Sequence, residues 1–166
     1  MHITASNASR LRATLSLALL AVGAAGAAAQ ARPDFSGEWV LNRQESTLPP
    51  PVSAVESGVV RIEHREPTFT FHRTYVIGGT PREASFTRAT DGIEVTETGP
   101  QGIPSVSTLR WDGAALVLAM RIKGPGFEAA NDVRYELLNG GRRLRATEQG
   151  RSPQGNHDAV WIYDRR

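Results

Sequence analysis

Cysteine is absent from all 166 residues, so disulfides, thiolate nucleophiles and cysteine metal centres are closed to this chain. Lysine is nearly absent too. Of 19 basic residues only Lys123 is a lysine, and the others are arginines, whose rigid guanidinium suits carboxylates and phosphates. Beyond the first 31 residues no stretch of ten or more keeps helical spacing. Without such a stretch there is no carrier for a His-Glu-x-x-His zinc site and no glycine loop opening a helix onto a phosphate, and no Gly-x-Ser-x-Gly elbow occurs. These absences remove the familiar enzyme signatures and leave no catalytic residue to name. A binding or structural role is the expectation.

Residues 1–31 stand apart. Arg10 and Arg12 precede an apolar run from Ala13 to Ala29, and Ala29-Gln30-Ala31 supplies a small-x-small cleavage pattern, with Ala27-Ala28-Ala29 as a second option. The run is rich in Ala and Gly and stops at that pattern, which fits a secretory signal better than a membrane span of ~20 strongly apolar residues. The expectation is a periplasmic or extracellular protein whose domain runs from 32 to 166, with no transmembrane segment and no lipidated N-terminal cysteine. Arg10 and Arg12 leave with the leader and no acid does, so the remaining Arg and Lys equal the 17 Asp plus Glu. That balance gives no electrostatic motive for binding nucleic acid. A chain of this size can bury roughly two thirds of its surface, enough to fold without disulfides.

The rest reads as strands. Leu48-Pro49-Pro50-Pro51-Val52 has too few backbone donors for helix or inner strand and forms an extended connector. Period two then sets in. Val60, Ile62 and His64 share one face, and after the turn at Glu66-Pro67-Thr68, Phe69, Phe71, Arg73, Tyr75 and Ile77 alternate with Thr70, His72, Thr74 and Val76. Shorter segments follow at Ala84 to Arg88, Ile93 to Glu97, Val106 to Trp111, Ala115 to Ile122, Val133 to Leu138, Arg143 to Thr147 and Asp158 to Arg165. Asp112-Gly113 is a strong two-residue hairpin signal. About ten strands with tight turns predict an all-β antiparallel up-and-down meander. Closing it into a barrel removes the two unpaired edges, while a two-sheet sandwich is the alternative.

The first strand carries the most particular motif. In Phe35-Ser36-Gly37-Glu38-Trp39-Val40-Leu41, residues 35, 37, 39 and 41 share one face. Gly37 leaves room for a neighbouring backbone and Trp39 covers the opening, its indole N–H needing a polar partner. The stretch resembles the Gly-x-Trp signature of the lipocalin-like (calycin) β-barrels, although no counterpart of that family's middle motif is present. The resemblance implies a closed barrel of about 8–10 strands in which Trp39 stops one end beneath an arginine of the last strand, here Arg165. Asp34 and Glu38 beside the motif are expected to face solvent or cap Arg165.

Function depends on whether such a barrel is hollow. Arg73 between Phe71 and Tyr75, with His64 and Tyr135 on inward parity, forms the candidate ligand face, because an inward guanidinium among aromatics needs a carboxylate from the protein or from a ligand. The first expectation, implied by the resemblance, is an exported non-enzymatic protein holding a small apolar or amphipathic molecule. The second is a solid-core barrel serving as a structural or protein-interaction module. A third is haem or metal binding through His157, which shares parity with Trp161, or through His64. The sequence names no cofactor. Met120 reads most simply as core beside Leu116, Leu118 and Ile122.

Overall fold

The computed structural model describes residues 32–99 and 102–166, and the expected leader lies outside the described residues. Ten antiparallel strands follow in chain order: β1 Gly37–Leu41, β2 Val55–Arg65, β3 Thr68–Ile77, β4 Thr80–Ala89, β5 Val95–Thr98, β6 Pro104–Asp112, β7 Ala115–Gly124, β8 Phe127–Leu138, β9 Arg143–Arg151 and β10 His157–Arg165. All ten form one sheet in the order β4-β3-β2-β1-β10-β9-β8-β7-β6-β5. Strands adjacent in sequence pair throughout except β4 and β5, and β1 also meets β10, which joins the two ends of the chain. A sandwich would split this order into two sheets, so the meander is a barrel. Among the described residues no helix is long and apolar enough to cross a membrane.

The remaining seam lies between β4 and β5, the two ends of the sheet order. β5 has only four residues, all exposed, too few to build a ladder against the ten-residue β4. Two devices close the gap instead. Gly92 donates its N–H to Leu109 O at 2.9 Å, continuing the bridge between Asp91 and Arg110. Further along, the Arg88 guanidinium reaches across from β4 to grip both oxygens of Glu97 at 3.0 and 2.5 Å and to donate to Ser107 Oγ at 2.8 Å. A planar guanidinium on a carboxylate makes two parallel charge-assisted hydrogen bonds, which fix the geometry of the contact across the gap.

One end of the barrel is filled. Phe35, Phe69, Leu109, Leu116 and Val60 are fully buried there, and Phe35 packs against His64, Phe69 and Trp111 at ring separations of 6.0–6.3 Å. Trp39 is 0% exposed and pairs across to Val60 and Arg165. Its indole N–H donates to Phe35 O at 3.1 Å, the polar partner that burial demands. The Arg165 guanidinium lies 4.1 Å from the ring centroid and donates to Gly141 O and Ser36 O at 2.7 Å each. The stopper is thus an indole held beneath an arginine, and the arginine is tied to backbone on both flanks.

Gly37 serves a different neighbour from the one expected. A side chain there would stand 2.6 Å from the Arg165 Nη1, and the backbone sits at φ +141°. The glycine therefore clears space for the guanidinium, not for a crossing backbone. Glu38 does not cap Arg165 either. It pairs with Arg61 at 3.0 Å and with Arg166.

The proline-rich connector behaves as its lack of donors requires. Thr47 extends the pairing with β10 through Val160, in both directions, before the prolines begin. A short 3-10 turn at Val52–Ala54 then leads into β2.

Candidate functional site

The opposite half of the barrel is hollow. A cavity of about 230 Å³ opens between β3, β4 and the β7–β10 wall. Its apolar lining includes Phe71, Phe86, Leu118, Val133 and Trp161. Phe71 and Phe86 stack at 5.2 Å on paired positions of β3 and β4, forming a flat apolar floor.

Of the five residues singled out from the sequence, Phe71, Arg73, Tyr75 and Tyr135 line this cavity. Arg73 faces inward from the middle of β3, its guanidinium 5.0 Å over the Tyr75 ring. Tyr75 in turn stacks on Trp161 at 5.1 Å with the planes 7° apart. Cation, phenol and indole thus form a layered wall, and among the described residues no carboxylate forms an ion pair with Arg73. The guanidinium keeps its charge at any ordinary pH, so a permanent cation faces the cavity. Tyr75 and Tyr163 share a hydrogen bond at 2.5 Å, and burial pushes the phenols of Tyr75, Tyr135 and Tyr163 above the usual tyrosine range. All three remain neutral hydroxyls at physiological pH and can donate hydrogen bonds.

His64 does not join them, and its expected place at the ligand face is corrected. It points inward but sits at the filled end, where Nδ1 accepts from Phe35 N–H at 3.3 Å and Nε2 meets Glu66 Oε1 at 2.9 Å. Both ring nitrogens are engaged, so neither is free to bind haem iron or a metal. Glu66 is the hub of that end. Burial opposes its ionisation, but contacts from His64, Thr90, Trp111 and Arg32 outweigh burial and hold it below the usual carboxylate range. His157 is at the hollow end, 3.6 Å from Glu148. Among the described residues no group of three or more His, Asp or Glu is placed to hold a metal ion.

Several site residues escaped the sequence reading. Glu148 is buried in the cavity wall and accepts the Trp161 indole N–H at 2.6 Å. Asn131, Ser85, Ser107 and the Arg88–Glu97 pair add to the polar part of the lining, and Met120, which reads from the sequence as plain core, faces the cavity. The signal for Arg88 was present, since it shares parity with Ala84 and Phe86. For Glu148 it required carrying β9 past Thr147.

No protein-family model matches this chain, and no curated protein matches it. Solved structures do. Lipid binding protein 8 of Caenorhabditis elegans superposes with a TM-score of 0.56 at 13% identity, covering 80% of this chain and 95% of its own. The fatty acid transporter REP1-NXSQ gives 0.51 at 18%, covering 80% and 96%. A variant of the fluorescent protein UnaG gives 0.50 at 18%, also covering 80% and 96%. The fold is that of the fatty-acid-binding and calycin-type β-barrels.

Proposed function

We propose that this chain is an exported binding protein that holds a small amphipathic molecule in the hollow half of its barrel, an acidic group of the ligand pairing with Arg73. The observation that carries this reading is the wall itself: a permanent cation, stacked on Tyr75 and without a carboxylate partner among the described residues, looks into a space floored by Phe71 and Phe86. A guanidinium taken out of water is costly until an anion meets it, and a ligand carboxylate supplies both the charge and the bidentate geometry. Tyr135 and the Tyr75–Tyr163 pair stand ready to donate to the same group. The lipid cargo named for two proteins of the same fold points the same way. At about 230 Å³ the cavity falls below the roughly 300–1,000 Å³ of ordinary ligand clefts, which favours short chains. The basic start, apolar run and cleavage pattern of residues 1–31 support export.

The test is a thermal-shift panel of medium- and long-chain fatty acids, haem and isoprenoids. A ligand present at a hundred times its Kd stabilises by about 2.7 kcal/mol, an effect easily resolved. Medium-chain acids should raise the melting temperature most. A flat response across the whole panel would instead favour a barrel that works as a structural module.

A further inference from the structure

Near the open ends of β7 to β10, one rung of the sheet reads Met120, Asn131, Gly150, His157, each paired directly with the next. Directly opposed residues on adjacent strands share a face, so Asn131 and His157 turn the same way with a glycine between them. A side chain at Gly150 would overlap the His157 ring, and its absence lets the imidazole lie down over β9.

Here a second cavity of about 190 Å³ is lined by Met120, Asn131, Glu148, Gly150, His157 and Arg151, among others, the Arg151 guanidinium being already paired with Asp158 at 2.6 Å and donating to the carbonyls of Gly150 and His157. Met120, Asn131 and Glu148 also line the main cavity, so the two spaces adjoin. The buried side-chain polar atoms that lack a hydrogen-bond partner among the described residues are Asn131 Oδ1 and His157 Nε2, and both belong to residues of this second cavity. Beside them, Glu148 Oε1 lies 3.6 Å from His157 Nε2, beyond hydrogen-bond reach, while Oε2 is taken by the Trp161 indole. An amide oxygen and a carboxylate oxygen are thus gathered on one wall as acceptors, and the ring nitrogen joins them as a third in the tautomer that carries its proton on Nδ1, whereas a proton on Nε2 would face Glu148. Buried polar atoms without protein partners are unusual, and their grouping in one cavity marks a place where water or a ligand supplies the partners.

We propose that this second cavity binds a primary ammonium group, the far end of the molecule whose acidic end meets Arg73. An ammonium carries three N–H donors and a positive charge, matching three acceptors of which one is a carboxylate; a hydroxyl offers a single donor and no charge. The ligand class is then an apolar chain with an acid at one end and an amine at the other. This inference rests on the reading of the main cavity as the acid-binding site, and its test separates the two.

Isothermal titration with octanoic acid, octylamine and ω-aminooctanoic acid is carried out on the wild-type protein and on Asn131→Leu and Glu148→Gln. The ω-amino acid should bind the wild type at least tenfold more tightly than octanoic acid, and each substitution should shrink that ratio several-fold, with octylamine losing affinity in parallel. Binding of octanoic acid with no gain from the amine overturns the ammonium site while leaving the main-cavity reading intact. A gain that survives in both variants overturns it as well. If neither acid binds, the main-cavity reading fails and this inference falls with it.

Discussion

Trp39→Ala is expected to destabilise the barrel by about 3–5 kcal/mol, the range for truncating a fully buried aromatic. For a domain of this size the loss corresponds to a fall in melting temperature on the order of 10 to 20 °C. The reason for an effect of this size is what the indole holds. Its ring is the surface on which the Arg165 guanidinium rests, its N–H satisfies Phe35 O, and its strand is the one that joins β2 to β10. Removing it leaves a cavity under a guanidinium tied only to two carbonyls, and β1, with five residues, has little else to anchor it. Thermal unfolding followed by far-ultraviolet circular dichroism measures the effect. A loss below about 1 kcal/mol would mean that Trp39 is an ordinary core residue and not the stopper.

The second large effect is on binding. Replacing Arg73 by methionine should weaken medium-chain fatty acid binding by roughly 10- to 150-fold, the equivalent of the 1.5–3 kcal/mol typical of a hydrogen bond to a charged group. The same change should leave the ligand-free protein as stable as before, or more so. Methionine fills the space of the side-chain stem, and the desolvation cost of the cation is relieved, which offsets the loss of its attraction to Glu148 across the cavity and to the Tyr75 ring. Most binding-site substitutions that weaken a ligand by disturbing the fold lower both quantities together. Here they should separate, and titration calorimetry alongside a melting curve shows whether they do. Unaltered affinity would remove Arg73 from the site.

The two effects come from opposite ends of the barrel, and the sequence revealed them unequally. The architecture was legible because its signals are local. Alternation along Phe69 to Ile77 and the Asp112-Gly113 hairpin each depend on residues a few positions apart, and they gave the meander. The Gly37-x-Trp39 motif pointed to Arg165, and β1 does pair with β10 in that register. Alternation also placed Phe71, Arg73 and Tyr75 on the inner face. It could not say how far along the barrel an inward residue sits, since strands tilt and stagger on closure. His64 shares its inward parity with Ile62, yet it belongs to the filled end, with Phe35 and Trp111 around it. The acceptor cluster was hidden for another reason. Ala129, Ala130, Asn131 and Asp132 have poor strand propensity, and β8 was expected to begin only at Val133, whereas pairing with β7 and β9 carries it back to Phe127. β9 likewise runs beyond Thr147 to Arg151, bringing Glu148 and Gly150 into the wall. In these segments neighbouring strands, not the local residues, decide the conformation.

A binding role requires that a ligand reside in the hollow half of the barrel. Native mass spectrometry of the protein purified without delipidation tests that directly. The expected spectrum shows a protein species carrying one small molecule of acidic, largely apolar character, displaced by added octanoic acid in the wild type and much reduced in Arg73→Met. A spectrum with only the bare chain, unchanged by saturating octanoic acid, would contradict it.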